Sequence, residues 1–504
     1  MHTMDKSLIA LTSCLTYGQS EKTEGEAVND FVGTLARVYE KARNALEYRA
    51  DNLVRRAAIE RILRRRILLN KDPQTLTEKL LTELRWAKYL SLEETKKGKK
   101  VELEKIVGKY ISFLNDSVPT DWVVKIASAE IEDFFNLNTD YKQFTFFAFQ
   151  IIKQKIAIHD ENIDLLIYFA VDKVYAGSDD EQVAYHILKL AGPNTTKEMF
   201  KEAWKLFNIA KGNKKVSRIG KFVRRQMPPL VLLRDIYFYK PADFKEIVSN
   251  VEKFNIRAKE VLEIQLEQLS GRIRTAGTRS VIYVFLTKMV LAFGLEVPLE
   301  IFFYQHLHTI PLAINLAFPP LLMLFATTQI KLPSKKEEVD LVTRTWTILS
   351  NSDSLKNEED ILADTDDSQE KSLGWWIFSI LYGICFVGVF ALIFFVLGKI
   401  GFTFFSKIVF LFFLCVIAFF AYRIIQIAKA YTWKGKGRES SSPMDILAIP
   451  ILAIGSRLSQ GLTHLNFLAF AFDFILEAPF KLILGFLDDW VQFLSLKKEE
   501  QIIE

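Results

Sequence analysis

The sequence predicts an all-α protein: a cytoplasmic helical domain, then a polytopic α-helical membrane domain of about four transmembrane helices, then C-terminal amphipathic helices. Charge is divided unevenly, with 47 Lys and Arg against 38 Asp and Glu in residues 1–279, and 18 against 22 in residues 280–504. Most long apolar runs lie in residues 280–504, and strand-like alternation is scarce before them. This composition excludes a single soluble globule, a disordered chain and a disulfide-framed secreted protein.

The order of these features divides the chain into seven segments. Three scattered cysteines supply neither a disulfide framework nor a zinc site. The predicted segments are a flexible N-terminus (1–27), a basic α-helical cytoplasmic domain (28–275), transmembrane helices 1 and 2 (279–329), an acidic cytoplasmic loop (330–373), transmembrane helices 3 and 4 (374–426), a basic linker (427–443) and interfacial amphipathic helices (444–504).

Helix starts are easy to recognise in the cytoplasmic domain. Asp72 precedes a proline, which places a side-chain acceptor before a residue suited to the first helical position. Ser178 with Glu181, and Thr195 with Glu198, have the spacing of capping boxes. These signals predict three helix N-termini.

Residues 244–273 have a coiled-coil-like periodicity. Apolar residues recur at alternating spacings of three and four, and the seam shifts by one residue after Val261. The seam either packs on helices of the same domain or forms a stalk towards the membrane, with Gly271 and Gly277 offering a bend. The apolar positions are Phe244, Ile247, Val251, Phe254, Ala258, Val261, Leu262, Leu266, Leu269 and Ile273.

Two stretches of the cytoplasmic domain are strongly basic. Residues 37–66 carry ten Lys and Arg against four acids, and no acid lies between Trp204 and Arg234. Such residues bind anionic lipid headgroups at about 1 kcal/mol each, bind nucleic acid phosphates, or form a solvated face with local pairs such as Glu60–Arg64. No nucleic-acid-binding signature accompanies them, so binding to nucleic acid is not expected. The candidate lipid or partner contacts are Arg55, Arg56, Arg61, Arg64, Arg65, Arg66, Lys214, Lys215, Arg218, Lys221, Arg224 and Arg225.

Four apolar runs are long enough to span a bilayer, which takes about 20 residues. Aromatic residues at the start of the third run and the end of the fourth suit the membrane interface. The runs are Val281–Val297, with an extension to Tyr304 left open, Ile310–Thr328, Trp375–Leu397 and Phe402–Tyr422.

The loops between these runs predict the orientation. Eleven Lys and Arg flank the runs on one side, whereas the other side holds only Lys399 and Lys407. Because positively charged loops stay in the cytoplasm, both termini are predicted to be cytoplasmic. The chain is then a multi-pass protein of the plasma (inner) membrane, with its basic domain facing anionic lipid.

Two charges interrupt the first run. Lys288 lies near its middle and Glu296 follows eight residues later, so on an α-helix the two side chains point within roughly 80° of each other. Ionisable groups in a bilayer are costly and usually face protein or water. One interpretation is an intramembrane charge pair on a transport or proton path. The other is that Lys288 snorkels while Glu296 lies at the outer interface.

Prolines interrupt the second run. Pro319 and Pro320 remove two backbone donors and predict a break in the helix, shortly after Asn315. Broken helices often line substrate sites in transporters, although kinked helices also occur without any transport role. The candidate intramembrane polar site consists of Lys288, Glu296, Asn315, Pro319 and Pro320.

The C-terminal segment is apolar but carries a charged stripe. Asp473, Glu477 and Lys481 recur every four residues within 467–487, which is long enough to span. A strong apolar face beside such a stripe favours a helix lying in the interface over a fifth span.

Motifs of catalysis and cofactor binding are missing from the sequence. There is no phosphate-binding glycine loop, dinucleotide turn, metalloprotease motif or nucleophile elbow. His306 and His308 lack a third metal ligand, and the acidic run 358–370 lacks the glycine and final glutamate of a calcium loop. We therefore expect no enzymatic activity, metal or cofactor.

Two functions remain. The first is a membrane-anchored scaffold whose basic domain docks on anionic lipid of the inner leaflet or on a protein partner, with homo-oligomerisation left open. The alternative is a small-solute or ion transporter or channel that uses the intramembrane charges and the proline-broken helix.

Overall fold

The computed structural model describes most of the chain up to residue 432. The described residues are 6–15, 53–87, 89–90, 97–114, 118–136, 139–190, 192, 196–305, 309–328, 330, 332–350, 361–363, 373–432, 450–451, 453–454, 457, 486 and 490. Helices dominate them, as the sequence predicts. The predicted N-terminal segment 1–27, the basic linker and the C-terminal amphipathic helices lie largely outside the described residues.

The chain forms two compact units. The N-terminal unit comprises residues 6–155, 159–224 and 465–504, and the membrane-helix unit comprises residues 1–5, 156–158 and 225–464. The division at 224 and 225 falls inside a helix, whereas the sequence places the change from cytoplasmic to membrane chemistry near residue 275. The predicted boundary near residue 275 marks where the chain enters the bilayer, and it stays a prediction.

Amphipathic helices of 9 to 17 residues build the N-terminal unit. Their buried faces are rich in Ile, Leu and Phe, and α5 packs between α2 and α8. The helices are α1 (Lys6–Cys14), α2 (Val54–Leu69), α3 (Pro73–Trp86), α4 (Lys97–Phe113), α5 (Thr120–Phe135), α6 (Thr139–Lys153), α7 (Ile163–Val171), α8 (Asp180–Leu190), α9 (Lys197–Gly212) and the first part of α10 (Lys214–Tyr239).

One predicted cap is confirmed and two are displaced by one residue. The Asp72 carboxylate accepts from the backbone N–H of Thr75 at 2.8 Å, as expected before α3. Asp179, not Ser178, accepts from the N–H of Gln182 at 3.0 Å before α8. Likewise Thr196, not Thr195, caps α9. The carboxylate of Asp179 is the stronger acceptor, and Ser178 donates its hydroxyl elsewhere.

The membrane-helix unit contains the long apolar helices. Its elements are the strand β1 (Ile156–Ala157), the end of α10, α11 (Phe244–Ser249), α12 (Val251–Leu291), a π-helical turn (Ala292–Glu296), α13 (Val297–Tyr304), α14 (Thr309–Thr328), α15 (Lys335–Ser350), the strand β2 (Leu362–Ala363), α16 (Leu373–Lys399) and α17 (Phe404–Ala428). The strands pair in parallel, with Ile156 opposite Leu362.

Among the described residues, four helical stretches are long and apolar enough to cross a membrane, and they correspond to the four predicted runs. They are Val251–Phe303, Thr309–Thr328, Ile380–Lys399 and Phe404–Ile425. The first joins α12, the π turn and α13 into one 53-residue rod. The extension of the first span to Tyr304 is therefore the arrangement found.

The periodic stretch 244–273 packs inside its own unit. Asn250 caps a new helix within it, so the seam is interrupted there and Val251 is exposed, contrary to the expected register. The other positions of the seam are buried, and the Phe254 ring lies 5.2 Å from that of Trp346 on α15. The stretch thus packs on other helices of its unit and also continues into the first apolar run as part of the 53-residue rod.

The expected bend at the glycines is absent, because α12 runs through Gly271 and Gly277 without interruption. Gly277 instead allows close helix packing. A Cβ there would lie 2.9 Å from Cγ2 of Thr327 on α14, too close for any side chain without movement. Small residues at such crossings let membrane helices approach each other.

Two further expectations need correction. The helix α14 continues through Pro319 and Pro320, so no break occurs in the second span. Packing against α12 and α17 holds the segment helical despite two missing backbone donors.

The predicted acidic loop contains α15, whose apolar face is buried against α12. The acids at 358–360 and 364–370 lie outside the described residues.

Candidate intramembrane ion site

Four helices and the π turn bring polar side chains together in the membrane-helix unit. Lys288 comes from α12, Glu296 from the π turn, Glu300 from α13, Asn315 from α14 and Ser406 from α17. All five side chains are fully buried. With Thr403, which precedes α17, we call them the ion cluster.

Lys288 and Glu296 form an ion pair. The Lys288 Nζ lies 3.1 Å from Glu296 Oε2, and both side chains are 0% exposed. Because residues of a π turn rotate less than those of an α-helix, the turn at 292–296 reduces the roughly 80° offset expected at this spacing. This geometry is the charge pair of the first interpretation, while a transport or proton path through it stays a prediction.

The second oxygen of Glu296 accepts from two other helices. Asn315 Nδ2 and Ser406 Oγ both contact Glu296 Oε1 at short hydrogen-bond distance. Asn315 Nδ2 also lies 3.4 Å from the backbone oxygen of Ser406. The carboxylate thus ties α14 and α17 to the π turn.

A second carboxyl group shares the same hydroxyl. Glu300 Oε1 lies 3.0 Å from Ser406 Oγ and 3.1 Å from Thr403 Oγ1. Ser406 Oγ therefore bridges Glu296 and Glu300. Glu300, Thr403 and Ser406 are not among the candidate residues expected from the sequence.

Two carboxyl groups of the ion cluster share one hydroxyl. A serine hydroxyl has one proton, so Ser406 can donate to only one of its two carboxyl neighbours at a time. The Ser406 hydroxyl therefore lies where a proton can pass between Glu296 and Glu300.

Pro319 belongs to the same face of α14 as Asn315. Pro311, Asn315, Pro319 and Met323 are the buried residues of this helix and recur every four positions. Because proline has no N–H, Pro319 removes the usual intrahelical partner of the Asn315 carbonyl. Pro320 lies next to this face and is only partly buried.

The cluster lies towards one end of the helices. Along the axes, Glu300 is about 6 Å and Glu296 about 12 Å from the end of α13, and Ser406 is within the first turn of α17. Lys288 starts about 24 Å from the same end, so its side chain approaches the cluster from deeper in the span. Glu300 and Thr403 are thus nearest to the loops on that side.

The described arginines of the first basic stretch, all on α2, are largely engaged in ion pairs. Glu83, itself fully buried, holds Arg65 and Arg66. Arg55 pairs with Glu132 at 2.8 Å. Arg56 pairs with Glu60 at 2.8 Å and with Asp179 at 2.6 Å. Arg64 pairs with Glu60 at 2.8 Å. Arg61 on α2 is partly buried and also has partners.

The second basic stretch is more open. Lys214, Lys221 and Arg224 on α10 are exposed. Lys215 instead binds Asp160, with Nζ 3.0 Å from Oδ2 and 3.0 Å from the backbone oxygen of His159. Arg218 and Arg225 have partners within the chain.

The sequence contains only weak signals for Glu300, Thr403 and Ser406. Glu300 follows Glu296 by four residues, a spacing that places both on one helix face once the helix is known to continue past Pro298. Thr403 and Ser406 are ordinary helix-start residues, and only the fold brings them to the glutamates.

No known protein family, curated protein or solved structure matches the chain. Within the part of the chain that the structure describes, no group of three or more His, Cys, Asp or Glu side chains is placed to hold a metal ion.

Proposed function

We propose that the protein moves protons across the membrane through the ion cluster, as a proton channel or a proton-coupled transporter. The single observation that carries this proposal is the hydroxyl of Ser406, which bridges two fully buried carboxyl groups. A hydroxyl that contacts both carboxyl groups can accept a proton from one of them while it donates its own proton to the other.

The contacts support a short relay. A proton on Glu300 can pass to Ser406 Oγ while the proton of that hydroxyl passes to Glu296. The proton count of the serine is unchanged, and the charge moves from one carboxyl group to the other. Lys288, 3.1 Å from Glu296, stabilises the ionised state and loses its partner when Glu296 is protonated. That loss would couple proton arrival to a rearrangement around Lys288.

The direction of access follows from the predicted topology. The loops nearest to Glu300 carry few positive charges and lie on the predicted outer side. This proposal places both termini in the cytoplasm and the chain in the plasma membrane. Protons would then enter at Glu300 and pass inwards to Glu296.

A scaffold or lipid-docking role is the second candidate. The exposed side chains of Lys214, Lys221 and Arg224 support it, because free cations on one helix are suited to anionic headgroups or an acidic partner. The two roles are compatible in one chain.

Proton flux in proteoliposomes tests the proposal. The full-length protein is reconstituted with a pH-sensitive dye inside, and a pH difference is imposed with the membrane potential clamped by K⁺ and valinomycin. We expect flux well above that of empty vesicles, and at least a tenfold loss in Glu300→Gln, whose amide still donates to Ser406 but cannot release a proton. Parallel runs with a Na⁺ gradient at the same clamped potential distinguish a channel from a Na⁺-coupled exchanger.

Glu267→Gln is the matched control, since Glu267 is exposed on α12 outside the cluster. Its flux should equal that of the wild type. Flux from the wild type no higher than from empty vesicles, or unchanged flux in a well-folded Glu300→Gln, would contradict proton transport.

A further inference from the structure

A second feature of the membrane-helix unit is an open groove between α16 and α17. Its volume is about 910 Å³, within the range of small-molecule sites. Apolar side chains line most of it, and Phe386, Phe390 and Phe394 on successive turns of α16 form an aromatic wall. Such a wall suits a flexible hydrocarbon chain.

Two lysines close one end of this groove. Lys399 and Lys407 both line it, and neither makes an ion pair among the described residues. The Lys407 Nζ lies 4.5 Å from the centre of the Phe394 ring, and the Lys399 Nζ lies 5.5 Å from that of Phe395. Contacts with a ring face leave ammonium protons free to bind an anion.

Gly398 makes room for this arrangement. A Cβ at Gly398 would lie 3.0 Å from the Lys407 Nζ, so the ammonium of α17 lies directly over the α16 backbone. The two positive charges thus lie on one side of the helix pair, at the end of the aromatic wall.

The length of the groove fits one leaflet. From Phe386 to Lys399 the helix rises about 20 Å, against about 15 Å for half of a bilayer's hydrocarbon core. An acyl chain on the phenylalanines would therefore place its headgroup at the depth of the lysines.

We propose that this groove binds a phospholipid of net negative charge, with an acyl chain against the aromatic wall and the headgroup phosphate between Lys399 and Lys407. Both cations belong to the side of the membrane with few other positive charges. On that side of the membrane, Lys399 and Lys407 are therefore the positive charges that attract an anionic headgroup. Lipid binding in this groove does not depend on proton transport through the ion cluster.

Native mass spectrometry of the full-length protein tests it, with titration by phosphatidylglycerol or by phosphatidylcholine. We expect at least a fivefold preference of the wild type for phosphatidylglycerol. The preference should be lost in the double variant Lys399→Gln/Lys407→Gln and kept in Lys399→Arg/Lys407→Arg, which retains both charges. Phe390→Ala should weaken the binding of both lipids.

The control is Lys335→Gln/Lys336→Gln, which removes two adjacent lysines at the start of α15, outside the groove. It should keep the preference. Equal binding of the two lipids by the wild type would overturn the proposal. So would an undiminished preference in the Gln double variant, and so would loss of the preference in the control.

Discussion

The two units of the molecule each bury a carboxylate, but they balance its charge in different ways. In the N-terminal unit, Glu83 is fully buried and is held by Arg65 and Arg66, whose side chains are 17% and 29% exposed. In the membrane-helix unit, five residues of the ion cluster are fully buried: Lys288, Glu296, Glu300, Asn315 and Ser406.

This difference separates a carboxylate whose partners reach water from carboxyl groups enclosed by helices. Around Glu83, water at the partly exposed guanidinium groups of Arg65 and Arg66 can stabilise their charge. Around Ser406, the cluster side chains are fully buried, so the stability of their charges depends on contacts inside the protein.

The largest expected effect is on the ion pair of the membrane helices. Glu296→Leu leaves Lys288 buried without a counter-charge, and we expect a loss of about 3–5 kcal/mol in stability. The double variant Lys288→Met/Glu296→Leu should recover most of it. Thermal unfolding in detergent measures both, and a double variant as unstable as Glu296→Leu would argue against the pair.

A smaller loss is expected for Glu83→Gln in the N-terminal unit. Removing its charge leaves two partly exposed arginines that water can solvate, so we expect a loss of about 1–3 kcal/mol. Denaturant unfolding of the full-length protein gives the value. A loss as large as that of Glu296→Leu would remove the contrast between the units.

The basic stretches offer a third contrast, between paired and open cations. In nanodiscs with anionic lipid at low salt, Lys214 and Lys221 should react severalfold more slowly with an amine-specific reagent than in neutral nanodiscs, because each gains about 1 kcal/mol at an anionic surface. Lys215, bound to Asp160, should change little. High salt should abolish the protection, and equal rates in both lipids would contradict docking through α10.

The smallest effect concerns pH and the N-terminal unit. His186 Nδ1 lies 2.7 Å from Asp172, which accepts the Ser178 hydroxyl with its other oxygen. Burial disfavours the imidazolium, but the carboxylate of Asp172 outweighs it and raises the pKa of His186 above its ordinary value of 6.5. The stabilisation is complete below 6.5 and declines as pH rises through the higher folded-state pKa.

The wild type should therefore lose its advantage over His186→Gln progressively as pH rises above 6.5, read from unfolding midpoints. An advantage that grows with pH would mean that the neutral imidazole is the stabilised form. This pH dependence of stability arises in the N-terminal unit. It should not alter the loss of stability expected for Glu296→Leu.

The predicted features differ in how well the sequence revealed them. The four spans and the spacing of Lys288 and Glu296 are local patterns, so composition and helical periodicity are enough to find them. The proline break and the glycine bend were wrong, because neighbouring helices hold Pro319, Pro320 and Gly277 in continuous helices. Propensity describes an isolated helix, whereas packing decides the outcome for a buried one.

The arginines of α2 show the same limit. Their run along the chain resembles an open basic face, yet their partners at positions 83, 132 and 179 come from distant segments. Only the fold places these carboxylates within reach.

The sequence by itself determined the class of the protein, its four apolar spans and the presence of one lysine and one glutamate inside them, because bilayer length and hydropathy act on contiguous residues. The tertiary structure alone decided that Glu300, Ser406 and Thr403 join that pair. Hydrogen bonds form between groups about 3 Å apart in space, and Glu300 and Ser406 are 106 residues apart in the chain.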